Sequence, residues 1–217
     1  MSSGAADARS ADVPVVSSAS AAAIHPRWVR ITHWINVIAM FVMITSGWRI
    51  YNASPLFAFT FPPAITIGDA LDGLTGALLW HFAAMWLLVV NGVTYVTLGL
   101  LSGRLRRKLL PIRFADVVRD LRAALTGRLS HDDLSVYNAV QRLLYAGVIV
   151  AGVVIVLSGA SIWKPVQFQD VVALFGGYDT ARFVHFFAMA TIVGFLLVHV
   201  VLAVLVPKSL RAMIRGR

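Results

Sequence analysis

Cysteine is absent from this chain. Its absence excludes disulfides, thiolate metal sites, iron–sulfur ligation and covalent haem attachment through C-x-x-C-H, so any metal must be held by other side chains. Charge is scarce as well: 13% of the 217 residues are charged against 59% hydrophobic, far too apolar for an ordinary soluble domain. No charged residue occurs between Asp72 and Arg104, between Arg142 and Lys164, or between Arg182 and Lys208. Each run exceeds the roughly 20 residues that a spanning helix needs. A fourth run, Ile31 to Trp48, lies between Arg30 and Arg49 and is long enough once its interfacial ends are counted. No Asp or Glu falls inside any of these spans, which disfavours a proton relay built on intramembrane carboxylates.

What charge there is reports orientation, because cytoplasmic loops retain Lys and Arg. The stretch from Ser102 to Arg142 holds nine basic and four acidic residues, and the tail adds Lys208, Arg211, Arg215 and Arg217. Segments 49–73 and 163–182 together hold three basic and four acidic residues. Both termini and the long middle loop are therefore expected on the cytoplasmic side. The net charge of +9 then reads as a topology signal, with anionic lipid headgroups as partners. It does not point to nucleic acid, since the charges flank spans and form no single face.

The expected fold is an all-α integral membrane protein with four helices at about 28–50, 74–102, 137–163 and 180–206. Trp28, Trp48, Tyr51, Tyr137, Trp163 and Tyr178 sit at their ends, where interfacial aromatics belong. Residues 1–26, rich in Ala and Ser and lacking a long apolar core after a basic start, read as a flexible cytoplasmic tail and not as a cleavable signal. Residues 50–68 contain Asn52, Pro55 and Pro62-Pro63 and read as an extracytoplasmic loop. Within the cytoplasmic loop 103–136, Phe114, Val117, Val118, Leu121, Ala124 and Leu125 recur at the spacing of a surface-lying amphipathic helix. Pro207 should end the last span, leaving 208–217 as a basic tail. Glycines inside the spans, Gly76, Gly92, Gly147, Gly152, Gly159 and Gly194, read first as sites of close helix packing and second as room for a flat cofactor.

Six histidines occur, and His33, His81, His185 and His199 fall inside spans. An ionisable residue there marks a candidate functional site. With the N-terminus inside, His33 and His199 share a level near the cytoplasmic face, and His81 and His185 share one near the outer face. Each pair joins two different helices. His185 and His199 lie fourteen residues apart, nearly four whole turns, so their imidazoles face the same way about 21 Å apart along the axis. This geometry suits two haems stacked across the membrane, each clasped by a histidine pair; with no open axial position they suit electron transfer. A tetrahedral zinc site would need three or four ligands at one level, and a structural, hydrogen-bonding role for the histidines stands as the alternative. His25 and His131 lie outside the spans and are expected to be solvated.

Four segments, RWVRITHWINVIAMFVMITSGW, LLWHFAAMWLLVVNGVTY, YNAVQRLLYAGVIVAG and RFVHFFAMATIVGFLLVH, together resemble the bacterial di-haem cytochrome b family, which includes cytochrome b561 and the membrane subunits of nickel-iron hydrogenases and formate dehydrogenases. The resemblance covers nearly the whole chain after residue 26. It implies a four-helix bundle in the bacterial inner membrane, two b haems ligated by His33 with His199 and His81 with His185, and exchange of electrons with quinone. Asn138 and Gln141 resemble an Asn-x-x-Gln pattern that would meet a quinone carbonyl near the inner haem, although both residues could simply cap or anchor the third span. Arg30, Arg49 and Arg182 lie near ends suited to haem propionates and equally suit membrane anchoring. The outer segments WKPVQFQ and LFGGYD look like those of family members paired with periplasmic molybdopterin oxidoreductases. The leading expectation is an electron-transfer subunit linking such a partner to quinone. The alternatives are a free-standing superoxide:quinone oxidoreductase and a non-redox scaffold or transporter.

Overall fold

The computed structural model describes residues 25–68, 74–126 and 138–216. Tyr137, His131, most of the N-terminal tail and Arg217 lie outside them. Four long helices, α1 (Arg27–Ala53), α2 (Leu74–Leu101), α5 (Ala139–Trp163) and α7 (Tyr178–Leu205), are long and apolar enough to cross a membrane. Shorter helices join or follow them: α3 (Arg104–Leu109), α4 (Phe114–Leu125), α6 (Gln169–Leu174) and α8 (Pro207–Arg215). Lipid offers the backbone no hydrogen bonds, so apolar runs of this length are stable there only with every amide paired inside a helix.

The long helices associate as two pairs, α1 with α2 and α5 with α7. Many of their buried positions are small, such as Ala39, Ala77 and Ala84 in the first pair and Ala151, Ala181 and Ala188 in the second, beside a few larger ones, Val29, Leu88 and Ile192. Large aliphatics such as Leu79, Val90, Leu197 and Val204 point outward. Small residues let the backbones approach where lipid gives no hydrophobic drive for association. Intraspan hydroxyls donate back to the preceding turn, as Thr45 does to the Phe41 carbonyl and Ser158 to that of Val154.

Several expectations change in detail. Asn52 does not end the first helix, which continues to Ala53. The Asn52 amide instead clamps the returning chain, accepting from the Phe61 amide at 2.8 Å and donating to the Phe61 carbonyl at 2.8 Å. The segment after α1 folds back along it until the Ile67 amide meets the Thr45 carbonyl at 3.3 Å, with Phe61 stacked on Trp48 at 4.8 Å. Gly68 is required at that turn: its φ is +121°, and a Cβ there would overlap the Ala77 backbone.

In the segment between α2 and α5, α4 is the expected amphipathic helix, and its Asp120 carboxylate accepts from the Ala139 amide at 2.8 Å, tying it to the start of α5. Pro207 ends α7 but also opens α8, because a missing amide proton costs nothing at a first helical position. Residues 207–215 are therefore helical, and Arg30 pins them by donating to the Ile214 carbonyl at 2.9 Å. Close helix packing does not explain Gly92, Gly147, Gly152 or Gly194, where an added Cβ would meet nothing within 4 Å.

Candidate haem site

Of the four intramembrane histidines, His33 lies on α1, His81 on α2, and His185 and His199 on α7. The structure places His33 on α1 opposite His199 on α7, their ring centroids 6.1 Å apart and their planes at 62°. Two metal–nitrogen bonds of about 2 Å, plus the two ring radii, would set such centroids about 6 Å apart, so this pair has the spacing to hold one metal between its rings. His199 also stacks on Phe195, one helical turn away, at 5.7 Å and 15°. No hydrogen bond to either inner ring occurs among the described residues.

His81 on α2 and His185 on α7 are held by hydroxyls. His81 Nδ1 lies 3.0 Å from the Ser46 Oγ of α1, and His185 Nδ1 lies 3.1 Å from the Ser158 Oγ of α5. His185 Nδ1 also lies 3.1 Å from the Ile155 carbonyl, and His81 makes the corresponding contact with the Met43 backbone. A carbonyl can only accept, so Nδ1 carries the proton and Nε2 is the free lone pair. In each case the residue after the serine is a glycine against the ring: a Cβ at Gly47 would lie 3.3 Å from His81 Cε1, and one at Gly159 would lie 3.1 Å from His185 Cε1. These neighbours are on other helices, which is why sequence reading missed them.

Two buried donors lack a protein partner among the described residues, Arg30 Nε and Trp48 Nε1. Arg30 is one turn from His33 near the start of α1, and Trp48 follows the Ser46-Gly47 step near its end. Orphaned donors in an apolar span are costly, and an acidic group such as a haem propionate would satisfy both. A facing imidazole pair, two further imidazoles with free Nε2 lone pairs, and orphaned donors near both ends of α1 thus fit b haem. No three His, Asp or Glu side chains converge among the described residues.

Other candidates fall differently. Arg182 donates to the Ser54 carbonyl at 2.7 Å and to its hydroxyl at 3.1 Å, anchoring the outer loop, and Arg49 is already engaged. Asn138 and Gln141 form a capping box at the start of α5: Asn138 Oδ1 accepts from the Gln141 amide at 2.8 Å, and Gln141 Oε1 from the Asn138 amide at 3.1 Å. Capping is thus what the geometry displays, and it leaves the side-chain NH2 groups as the donors for any carbonyl ligand. His25 is not solvated. It is buried, its Nδ1 accepts from Arg104 at 3.1 Å, and burial, then Arg104, Lys108, His33 and Arg30, lower its pKa to about 4. Sequence reading also passed over Asn91 of α2, whose buried amide donates to the Thr32 carbonyl at 2.8 Å and to Asn36 Oδ1 at 2.6 Å, locking α1 to α2 beside His33. An asparagine in so apolar a span was the available signal.

Comparison with known proteins agrees with this chemistry. A putative protein-methionine-sulfoxide reductase subunit YedZ1 from Azospira oryzae is 53% identical over 194 residues, covering 89% of this chain and 96% of that protein. The sequence model for prokaryotic cytochrome b561 matches residues 24–216, which takes in all four long helices and every intramembrane histidine. Four apolar helices, three of them bearing histidines that include the facing His33 and His199, together with a match across that whole length, make this chain a membrane haem protein of the prokaryotic cytochrome b561 family.

Proposed function

We propose that the chain is a transmembrane di-haem b-type cytochrome of the inner membrane, with both termini cytoplasmic, that passes electrons between quinone and a periplasmic oxidoreductase. The observation that carries the reading is the facing of His33 and His199 from α1 and α7; His185, fourteen residues before His199 on α7, and His81 of α2 are read as the second pair. One-electron exchange is the chemistry that bis-histidine haem supplies when bound. The protein's own part is to hold neutral imidazoles, exclude water and fix the spacing across the bilayer. The fourteen-residue step in α7 sets that spacing at about 21 Å.

Partner and quinone follow from separate considerations. The Azospira relative is named as a subunit of a protein-methionine-sulfoxide reductase. Such an enzyme, molybdopterin-dependent by the family resemblance, is the partner proposed here. Exposed Val166, Phe168 and Leu174 around α6 offer it a landing surface at the outer end. Quinone is placed at the cytoplasmic end, with the Asn138 and Gln141 amide groups as donors and His199 nearby.

A reduced-minus-oxidised visible spectrum with haem counted per chain tests this. About two low-spin b haems are expected, one lost in His33→Ala or His199→Ala and the other in His81→Ala or His185→Ala. A folded protein without haem would sink the redox reading and leave a scaffold or transporter. Co-purification and electron exchange with a methionine-sulfoxide reductase, abolished by changes in 163–180 while haem is kept, would separate the partnered form from a free-standing superoxide:quinone oxidoreductase.

A further inference from the structure

The two histidine pairs are not held alike, and the difference lies in Ser46 and Ser158. Both are fully buried in spans where water cannot replace a lost hydrogen bond. Each hydroxyl has a single proton, and each directs it to the carbonyl four residues back, Val42 for Ser46 and Val154 for Ser158. What each oxygen has left toward the imidazole is acceptor capacity. The ring nitrogen facing it is therefore Nδ1–H, which the Ile155 carbonyl beside His185 requires independently.

A buried serine that returns its proton to the preceding turn is common and by itself means little. Repetition is what that account leaves unexplained. On α1 and again on α5, a serine is followed by a glycine, the serine oxygen meets Nδ1 of a histidine on the neighbouring helix, and the glycine leaves room for that ring's Cε1. The Ile155 carbonyl, three residues before Ser158, faces the same nitrogen of His185, and the Met43 backbone, three residues before Ser46, likewise bonds the His81 ring. Nothing comparable holds His33 or His199 among the described residues.

Resting on the di-haem reading, we propose that Ser46 and Ser158 are positioning residues of the outer haem: they fix His81 and His185 as Nδ1–H tautomers with Nε2 as ligand, and they lower that haem's reduction potential. An acceptor on Nδ1–H shifts electron density into the imidazole, strengthens Nε2 as a donor and favours the oxidised iron. The inner haem, whose histidines have no such partners among the described residues, is not tuned in this way.

The test uses the full-length protein in detergent. Haem is counted first in the parent: about two per chain upholds the reading on which the proposal rests, and one or none overturns both. Ser46→Ala, Ser158→Ala, the double change, and the Thr variants are then compared by redox titration and by electron paramagnetic resonance of the oxidised protein. The outer haem is identified as the signal lost in His81→Ala. Each Ala change should raise the outer haem's reduced-to-oxidised ratio at fixed potential by up to about tenfold, about 59 mV for one electron. The double change should exceed either, the inner haem should stay put, and Thr should restore the parental values. Selective loss of the outer haem in the Ala variants, reversed by Thr, supports the same conclusion. Ala variants with parental potential and resonance signature, or equal movement of both haems, would overturn it.

Discussion

Gly159→Ala asks the outer site to accept a single methyl group. The added Cβ lies 3.1 Å from His185 Cε1 and 3.5 Å from Nδ1, where ordinary contact begins at 3.4 Å, so the ring must retreat by a few tenths of an ångström. It has little freedom to do so, because Nδ1 is held at 3.1 Å by both the Ser158 hydroxyl and the Ile155 carbonyl, already near the long end for a hydrogen bond. Disturbing an outer-shell partner of a metal ligand costs about 10- to 100-fold in affinity. The same substitution favours the helix by about 1 kcal/mol, since alanine loses less backbone entropy than glycine. Loss of haem without loss of fold is therefore expected. Gly47→Ala, with 3.3 Å to His81 Cε1, should do less, and Gly152→Ala, with no protein atom within 4 Å, should leave the affinity of that site for haem unchanged. Haem counted per chain at limiting haem, beside thermal unfolding of the detergent-solubilised protein, reads both effects. Parental outer-haem affinity in Gly159→Ala, or an equal loss in Gly152→Ala, would refute the reasoning.

Other expectations can be checked alongside. Asn138→Ala removes an N-cap acceptor and should cost about 1 kcal/mol in unfolding stability; a fall in quinone-dependent turnover beyond that loss, shared by Gln141→Ala, would mark a ligand role. Because the folded pKa of His25 is depressed to about 4 from 6.5, the unfolded chain binds more protons between those values. Stability from this contact is present above pH 6.5 and lost as pH falls toward 4, so the acid limb of a stability–pH profile should flatten in His25→Gln. Asn91→Leu removes two donated hydrogen bonds between α1 and α2 and should lower stability by about 1 kcal/mol, read by unfolding in detergent.

Much of the architecture was legible before any coordinates. Charge-free runs and the distribution of Lys and Arg delimit four spans, because a charge inside hydrocarbon is costly and the cost depends only on composition. The fourteen-residue step from His185 to His199 makes both rings face one way through helical geometry alone. Which residues surround each ring was not legible. Ser-Gly occurs at 3–4, 46–47, 102–103 and 158–159, and the sequence does not say that two of these steps face a histidine on another helix. His25 looked like a solvated loop residue until the fold set Arg104, seventy-nine positions away, against its ring. Pro207 read as a stop because proline cannot donate its amide within a helix, yet docking on Arg30 lets a new helix begin there. Hydropathy and charge act along one chain and are written in it. The register between helices is decided by how small residues let two backbones approach, and only the folded bundle contains that information.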